Sequence, residues 1–316
     1  MSHYCFNYSS LFFVGCYARD VFVPLFILMS GMLLGMSWNK SEKKAYGISF
    51  LKKRFIKLSW SYYPYLIALF VFLSFVELYP VRIKDVLMHI VYLPWFDKLP
   101  YAGHLYFMTM ISICYIGAFL FTRIRSRLRL QLYGGGKLLI FLLIAMSFLL
   151  DYFLEENKLP GYMLLWLLLF LFAFNYALQI RAYCEKVSKN RLILSAFIFN
   201  LLALLLFANG LYENHNHSLG KWLGTFCCVS ILALCLNLYK KAKENRFVCF
   251  VASISFEIYL MFEIISEGKF SVMKMIENPI VACFVYLLLC LLGGYVLHKF
   301  VELFKMLYKL NLISKK

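Results

Sequence analysis

The chain has 316 residues, of which 63% are hydrophobic and only 16% charged, with a mean hydropathy of +0.74. A water-soluble domain carries about 25% charged residues, so a soluble globular enzyme is excluded. The net charge of +17 sits in short clusters between apolar runs, not on a basic face interleaved with stacking aromatics, and this removes nucleic acid as a partner.

The first apolar stretch is interrupted by Arg19 and Asp20 and has no small-residue cleavage site, so it does not read as a cleavable leader. Nine runs are long enough to cross a hydrocarbon layer of about 30 Å: 20–38, 59–79, 104–122, 137–153, 161–180, 192–209, 219–239, 247–266 and 279–298. They are continuous, not alternating, and twice the length of a barrel strand, so the predicted fold class is all-α, a polytopic transmembrane helix bundle. Alternate connections (39–58, 123–137, 181–191, 240–246 and 299–316) hold 25 Lys and Arg against 8 in the remainder. The rich side is expected to face the cytoplasm, which puts the C-terminus inside and residues 1 to about 17 at the outer face. An outer N-terminal stub with no apolar segment before it suggests that the chain lacks most of a first helix.

Most other polar features have plain readings. The ten cysteines, among them Cys5, Cys16, Cys114, Cys227, Cys228 and Cys249, lie in apolar runs without CxxC spacing and read as packing residues. His215 and His217 lack a third ligand and read as solvated, so no metal is expected. Gly134, Gly135 and Gly136 lack the Lys-Ser/Thr of a phosphate loop and read as a helix entry. Tyr62, Tyr63, Tyr92, Trp95 and Trp222 fall at predicted membrane boundaries. Arg123, Arg125, Arg127 and Arg129 either orient the chain on anionic lipid or attract a phosphate-bearing ligand. Arg19 and Asp20 either close a helix start as an ion pair or serve a site.

Three segments carry a resemblance. The first is Val21-Phe22-Val23-Pro24-Leu25-Phe26-Ile27-Leu28-Met29-Ser30-Gly31, followed by Phe50-Leu51-Lys52-Lys53-Arg54-Phe55 and Tyr63-Pro64-Tyr65. The second is Gly103-His104-Leu105-Tyr106-Phe107-Met108, and the third is Ser253-Ile254-Ser255-Phe256-Glu257-Ile258-Tyr259-Leu260-Met261-Phe262. In this order the chain resembles the integral membrane acyltransferase family (acyltransferase type 3), which includes polysaccharide and O-antigen O-acetyltransferases. The segments are similar to its apolar helix ending in Ser-Gly, its basic loop, its Pro-Tyr helix entry, its His-Leu-Trp-Phe-Leu and its Ser-Phe-x-Ile-Tyr-Leu-x-His. The match runs from the second of the family's ten helices onward, as one domain over 1–316. The family's arginine three turns before the histidine at His3 has no counterpart here, and Phe262 stands where many members have histidine.

The resemblance implies an enzyme moving an acyl group, most simply acetyl, from acyl-coenzyme A to a hydroxyl of a surface glycan or its lipid-linked precursor, in the bacterial inner membrane. Such chemistry needs a base for the hydroxyl proton and donors for the tetrahedral oxyanion. His3, His104, Tyr106 and Arg19 are the candidate catalytic residues, all expected at outer helix ends, with His3 the first choice of base. Arg54 and Lys53 are the candidates for the phosphates of the coenzyme on the inner side. Glu257 and Glu263 are intramembrane carboxylates, which are expensive enough that a place in the bundle interior is the default. The alternatives are a transporter or flippase for a lipid-linked sugar or acylated polymer, and an inactive truncated acyltransferase.

Overall fold

A computed structural model describes residues 12–41, 44–76, 78–96, 99–128, 161–208, 217–239, 245–267, 271, 275–276 and 278–313. The described residues form helices joined by turns, with no strand among them. In chain order these are α1 (Phe12–Lys40), α2 (Ile48–Phe75), α3 (Ile83–Ile90), α4 (Tyr106–Leu128), α5 (Gly161–Asn175), α6 (Ala177–Lys186), α7 (Lys189–Ala208), α8 (His217–Tyr239), α9 (Arg246–Ser253), α10 (Ser255–Glu267) and α11 (Pro279–Ile313). A 3-10 turn, Gly103–Leu105, leads into α4.

Among the described residues, five helices are long and apolar enough to cross a membrane, or seven if each of two bent pairs is a single span. A shorter apolar helix covers Leu223–Leu238. Large apolar side chains on the outside, such as Phe197 at 62% and Phe284 at 67% exposure, are what a lipid-facing surface requires. The chain is a multi-pass membrane protein. The expected span 137–153 lies outside the described residues.

Two expectations about element boundaries change. The basic stretch 50–57 is helical, not a loop, and Pro64 sits inside α2 instead of opening it. Nothing between Ile48 and Pro64 breaks a helix, and although Pro64 cannot make the N–H bond to the Trp60 carbonyl and its ring crowds that oxygen, the helix continues to Phe75. The 28 residues of α2 span about 42 Å, so its basic first turns extend beyond the hydrocarbon. The runs expected at 161–180 and 247–266 are each broken, by 77° between α5 and α6 and by 66° between α9 and α10. At the second break the Ser253 hydroxyl donates to the Phe250 carbonyl and Ser255 to that of Ala252.

The chain divides into two compact units, each made of two stretches: 1–47 with 113–243, and 48–112 with 244–316. In the first, α1 packs on α5, α7 and α8. A Cβ on Gly35 would lie 2.0 Å from the Phe174 carbonyl oxygen, one on Gly31 2.5 Å from that of Phe170, and one on Gly224 2.1 Å from that of Asp20. Backbone therefore meets backbone at three points on two crossings, α1 with α5 and α1 with α8. Asn237 of α8 donates to the carbonyls of Cys184 (2.8 Å) and Val187 (3.0 Å), satisfying the end of α6. Cys114, Cys184, Cys227, Cys228, Cys235, Cys249, Cys283 and Cys290 are free, and Cys114, Cys184, Cys227, Cys228 and Cys290 are buried.

In the second unit, α2, α10 and α11 pack together around Tyr65, Leu69, Leu105, Met108, Leu260 and Val301. Tyr92, in the connection after α3, stacks on Tyr62 with ring centroids 5.1 Å apart and shares a 2.7 Å hydrogen bond with Ser59. Burial drives its hydroxyl well above the ordinary tyrosine pKa, so it stays neutral. A groove of about 580 Å³ runs between α2, α10 and α11, with Pro64, Phe72, Met261, Gly293 and Val296 among its walls. No charged side chain lines it, so it suits hydrocarbon more than catalysis.

Candidate functional site

The 3-10 turn before α4 presents His104, and α10 presents Glu263, in the interior of the second unit. Both side chains are almost fully buried, at 3% and 4% exposure. The imidazole Nδ1 hydrogen-bonds to Glu263 Oε2, and the His104 backbone N–H donates to the same oxygen at 2.8 Å. A carboxylate on Nδ1 fixes the tautomer that leaves the Nε2 lone pair open. That Nε2 is buried and has no hydrogen-bond partner among the described residues.

The ring is held from three more directions. Tyr259 donates its O–H to the His104 carbonyl, with ring centroids 5.0 Å apart. Tyr65 meets the imidazole edge-on at 6.3 Å, and Phe262 packs at 4.7 Å. Gly103 lies against the carboxylate: a Cβ there would be 2.9 Å from Glu263 Oε1. His104 thus opens its helix as expected, but it packs beside the middle of α2, since Tyr65 lies ten residues, about 15 Å, before Phe75.

The other expected site residues fall as follows. Tyr106 starts α4, its ring 5.6 Å from that of Trp95. Lys53 is exposed on the first turns of α2, and the partly buried Arg54 guanidinium lies 5.6 Å from the Phe50 ring centroid. Both belong to the unit that holds His104. Arg19 lies in α1, in the other unit, next to the fully buried Asp20. His3 lies outside the described residues, as do His215 and the glycines 134–136.

The arginine cluster has a use within the first unit. Arg125 lies over the Trp38 ring at 5.2 Å and donates to Asn175, while Arg123 donates to the Tyr46 carbonyl at 3.3 Å. Trp38 stacks on Phe174 at 4.9 Å and donates to the Lys44 carbonyl at 2.8 Å. Both arginines tie the 44–47 connection, or the helix ends beside it, into place. His89 is fully buried, with Nδ1–H on the Asp85 carbonyl at 2.8 Å.

A second polar cluster lies in the same unit as His104. Ser61 donates to Glu257 Oε1 at 2.7 Å, and His298 Nδ1 approaches the same oxygen at 3.4 Å. Sequence reasoning placed Glu257 and Glu263 inside the bundle but assigned neither a partner, and it gave His298 no role.

Residues 1–299 match the family of acyltransferase type 3 proteins, described as an acyltransferase domain. No curated protein and no solved structure matches the chain.

Proposed function

Since the chain belongs to the acyltransferase type 3 family, we propose that it moves an acyl group, acetyl in the simplest case, from acyl-coenzyme A to a hydroxyl of a surface glycan or its lipid-linked precursor. The observation that supports this most is the buried His104–Glu263 pair, with one ring nitrogen held by a carboxylate and the other unpaired. In this reading His104 Nε2 takes the proton of the acceptor hydroxyl as its oxygen attacks the thioester carbonyl. Glu263 holds the tautomer and steadies the imidazolium that forms. The tetrahedral intermediate collapses by breaking the C–S bond, which releases the coenzyme thiolate.

Tyr259 keeps the turn carrying His104 in register, and Tyr106, two residues on, is the candidate to orient the acceptor. The family resemblance by itself implies roles for His3 as a base or acyl relay and for Arg19 as support for an oxyanion. Lys53 and Arg54, on the basic first turns of α2, would hold the coenzyme phosphates at the inner face of a bacterial cytoplasmic membrane. The C-terminus lies on that same side in this reading.

The test is acyl incorporation into cell-surface glycan, together with thiol release from acetyl-coenzyme A by purified protein. His104→Gln should lower both by about 100-fold or more at unchanged protein level, the range that a lost general base gives. Full activity in this variant would overturn the assignment.

A further inference from the structure

We propose that Tyr65 is a second catalytic residue, whose hydroxyl donates a hydrogen bond to the tetrahedral oxyanion while His104 takes the proton of the acceptor. The proposal rests on the acyl-transfer reading above. It supplies the oxyanion donor from the unit that holds His104.

It starts from the hydrogen bonds around His104. Nδ1 and the backbone N–H of His104 are spent on Glu263, and the Tyr259 O–H is spent on the His104 carbonyl. On two adjoining rings a polar atom is left open: His104 Nε2 and the Tyr65 hydroxyl are both buried, with no hydrogen-bond partner among the described residues. Tyr65 is fully buried, and its ring meets the imidazole edge-on, with centroids 6.3 Å apart and planes at 73°. The charge of Glu263 acts on the Tyr65 hydroxyl, so that oxygen lies in the field of the carboxylate that holds Nδ1.

A buried polar group without a partner is destabilising, and a phenylalanine would fill nearly the same space without that cost. A ligand that gives partners to both atoms offsets it. With Nδ1–H on Glu263, Nε2 is an acceptor, while a phenol is protonated at neutral pH and donates. One open acceptor and one open donor match the two oxygens that change in acyl transfer: the attacking hydroxyl, which gives up a proton, and the carbonyl oxygen, which gains charge. Phe262, 4.7 Å from the imidazole, adds an apolar wall, and a fixed donor acts more strongly in such surroundings than in water. Tyr62 gives the contrast. It is as buried as Tyr65 and its hydroxyl is as open, but its ring packs on Tyr63 and Tyr92.

The acceptor oxygen bonds to the thioester carbonyl carbon as its proton passes to His104 Nε2. The carbonyl π pair moves onto oxygen, which accepts the Tyr65 O–H hydrogen bond; Tyr65 keeps its own proton throughout. His104 is then an imidazolium paired with Glu263, so their charges cancel and the carboxylate does not oppose the oxyanion. The carbonyl re-forms, the C–S bond breaks with its electron pair on sulfur, and the Nε2 proton neutralises the thiolate. The products are the ester and the free coenzyme thiol.

The test uses purified full-length chain in liposomes, with acetyl-coenzyme A as donor and water as acceptor, read by thiol release. Tyr65→Phe removes one oxygen atom and should lower kcat by about 100-fold, with KM nearly unchanged and a melting temperature no lower than the parent's. Tyr62→Phe loses an equally buried hydroxyl and should turn over at the parent rate. The dithioester analogue of acetyl-coenzyme A separates an oxyanion donor from a structural part, because its C=S sulfur accepts hydrogen bonds poorly. The parent should slow on the dithioester by a much larger factor than Tyr65→Phe does, whereas a structural role makes the two factors equal. Should Tyr65→Phe fail to fold, a ring-fluorinated tyrosine in place of Tyr65 keeps the hydroxyl as a stronger donor and should raise kcat about twofold. Parent-like kcat in Tyr65→Phe, equal dithioester factors, or an unchanged kcat with the fluorinated residue would overturn the proposal. His104→Gln keeps the two ideas apart. Its inactivity beside a fully active Tyr65→Phe removes the oxyanion donor and leaves the base, whereas a parent chain that releases no thiol removes both.

Discussion

At the scale of single residues, the His104 imidazole is set by a carboxylate, a tyrosine hydroxyl and the lack of a side chain at Gly103. Glu263→Gln can offer Nδ1 an amide in place of a carboxylate, so the imidazolium loses its counter-charge. Turnover should fall about 100-fold while the detergent-solubilised protein melts at nearly the parent temperature. Gly103→Ala puts a methyl group where 2.9 Å separates it from the Glu263 carboxylate, which must move off the imidazole. A loss of about tenfold in kcat with little change in KM is expected, since the displaced carboxylate serves the proton transfer more than substrate binding. His104 was legible because Gly103-His104-Leu105-Tyr106 is a local motif. Its partner was not: Glu263 lies 159 positions away, and no local pattern links two positions that meet only through helix packing. The same holds for Ser61 and Glu257, 196 apart.

At the scale of helices, length and apolar content were legible because the membrane imposes them, while ends and breaks were not. Charge density suggested a loop at 50–57, yet a basic amphipathic stretch remains helical as readily as an apolar one once it leaves the hydrocarbon. Beside the bend at Ile254 two serine hydroxyls bond to carbonyls three residues back, a feature that a hydropathy window does not register. The Gly35 contact of α1 gives a direct test of packing. A Cβ there would overlap the Phe174 carbonyl, so Gly35→Ala forces helices apart and should destabilise the first unit by about 1–3 kcal/mol. The readout is a lower melting temperature by fluorescence, with Gly117→Ala as a milder comparison because its Cβ would meet flexible side-chain atoms of Leu167 and Leu171 and no backbone.

At the scale of the whole molecule, the chain weaves two units from alternating stretches, so neither unit can be read from one continuous piece of sequence. The membrane class and the family were legible from hydropathy and three short motifs, and the family comparison agrees over residues 1–299. The interleaved division was hidden because it depends on which helices pack together, not on any linker composition. The proposed orientation has its own test: a reporter fused after Lys316 should be active only in the cytoplasm, and one inserted in the connection 210–218 only outside. Activity of both on one side would remove the proposed sidedness, and with it the assignment of Lys53 and Arg54 to the coenzyme.

The bare glycine crossings of α1 have a mechanical consequence. With main chain resting directly on main chain at Gly31, Gly35 and Gly224, there is no pliable layer of methyl groups to absorb sliding or swivelling. That rod is keyed into its neighbours like a splined shaft, and any shape change during a working cycle must carry α5 and α8 along with it or begin somewhere else.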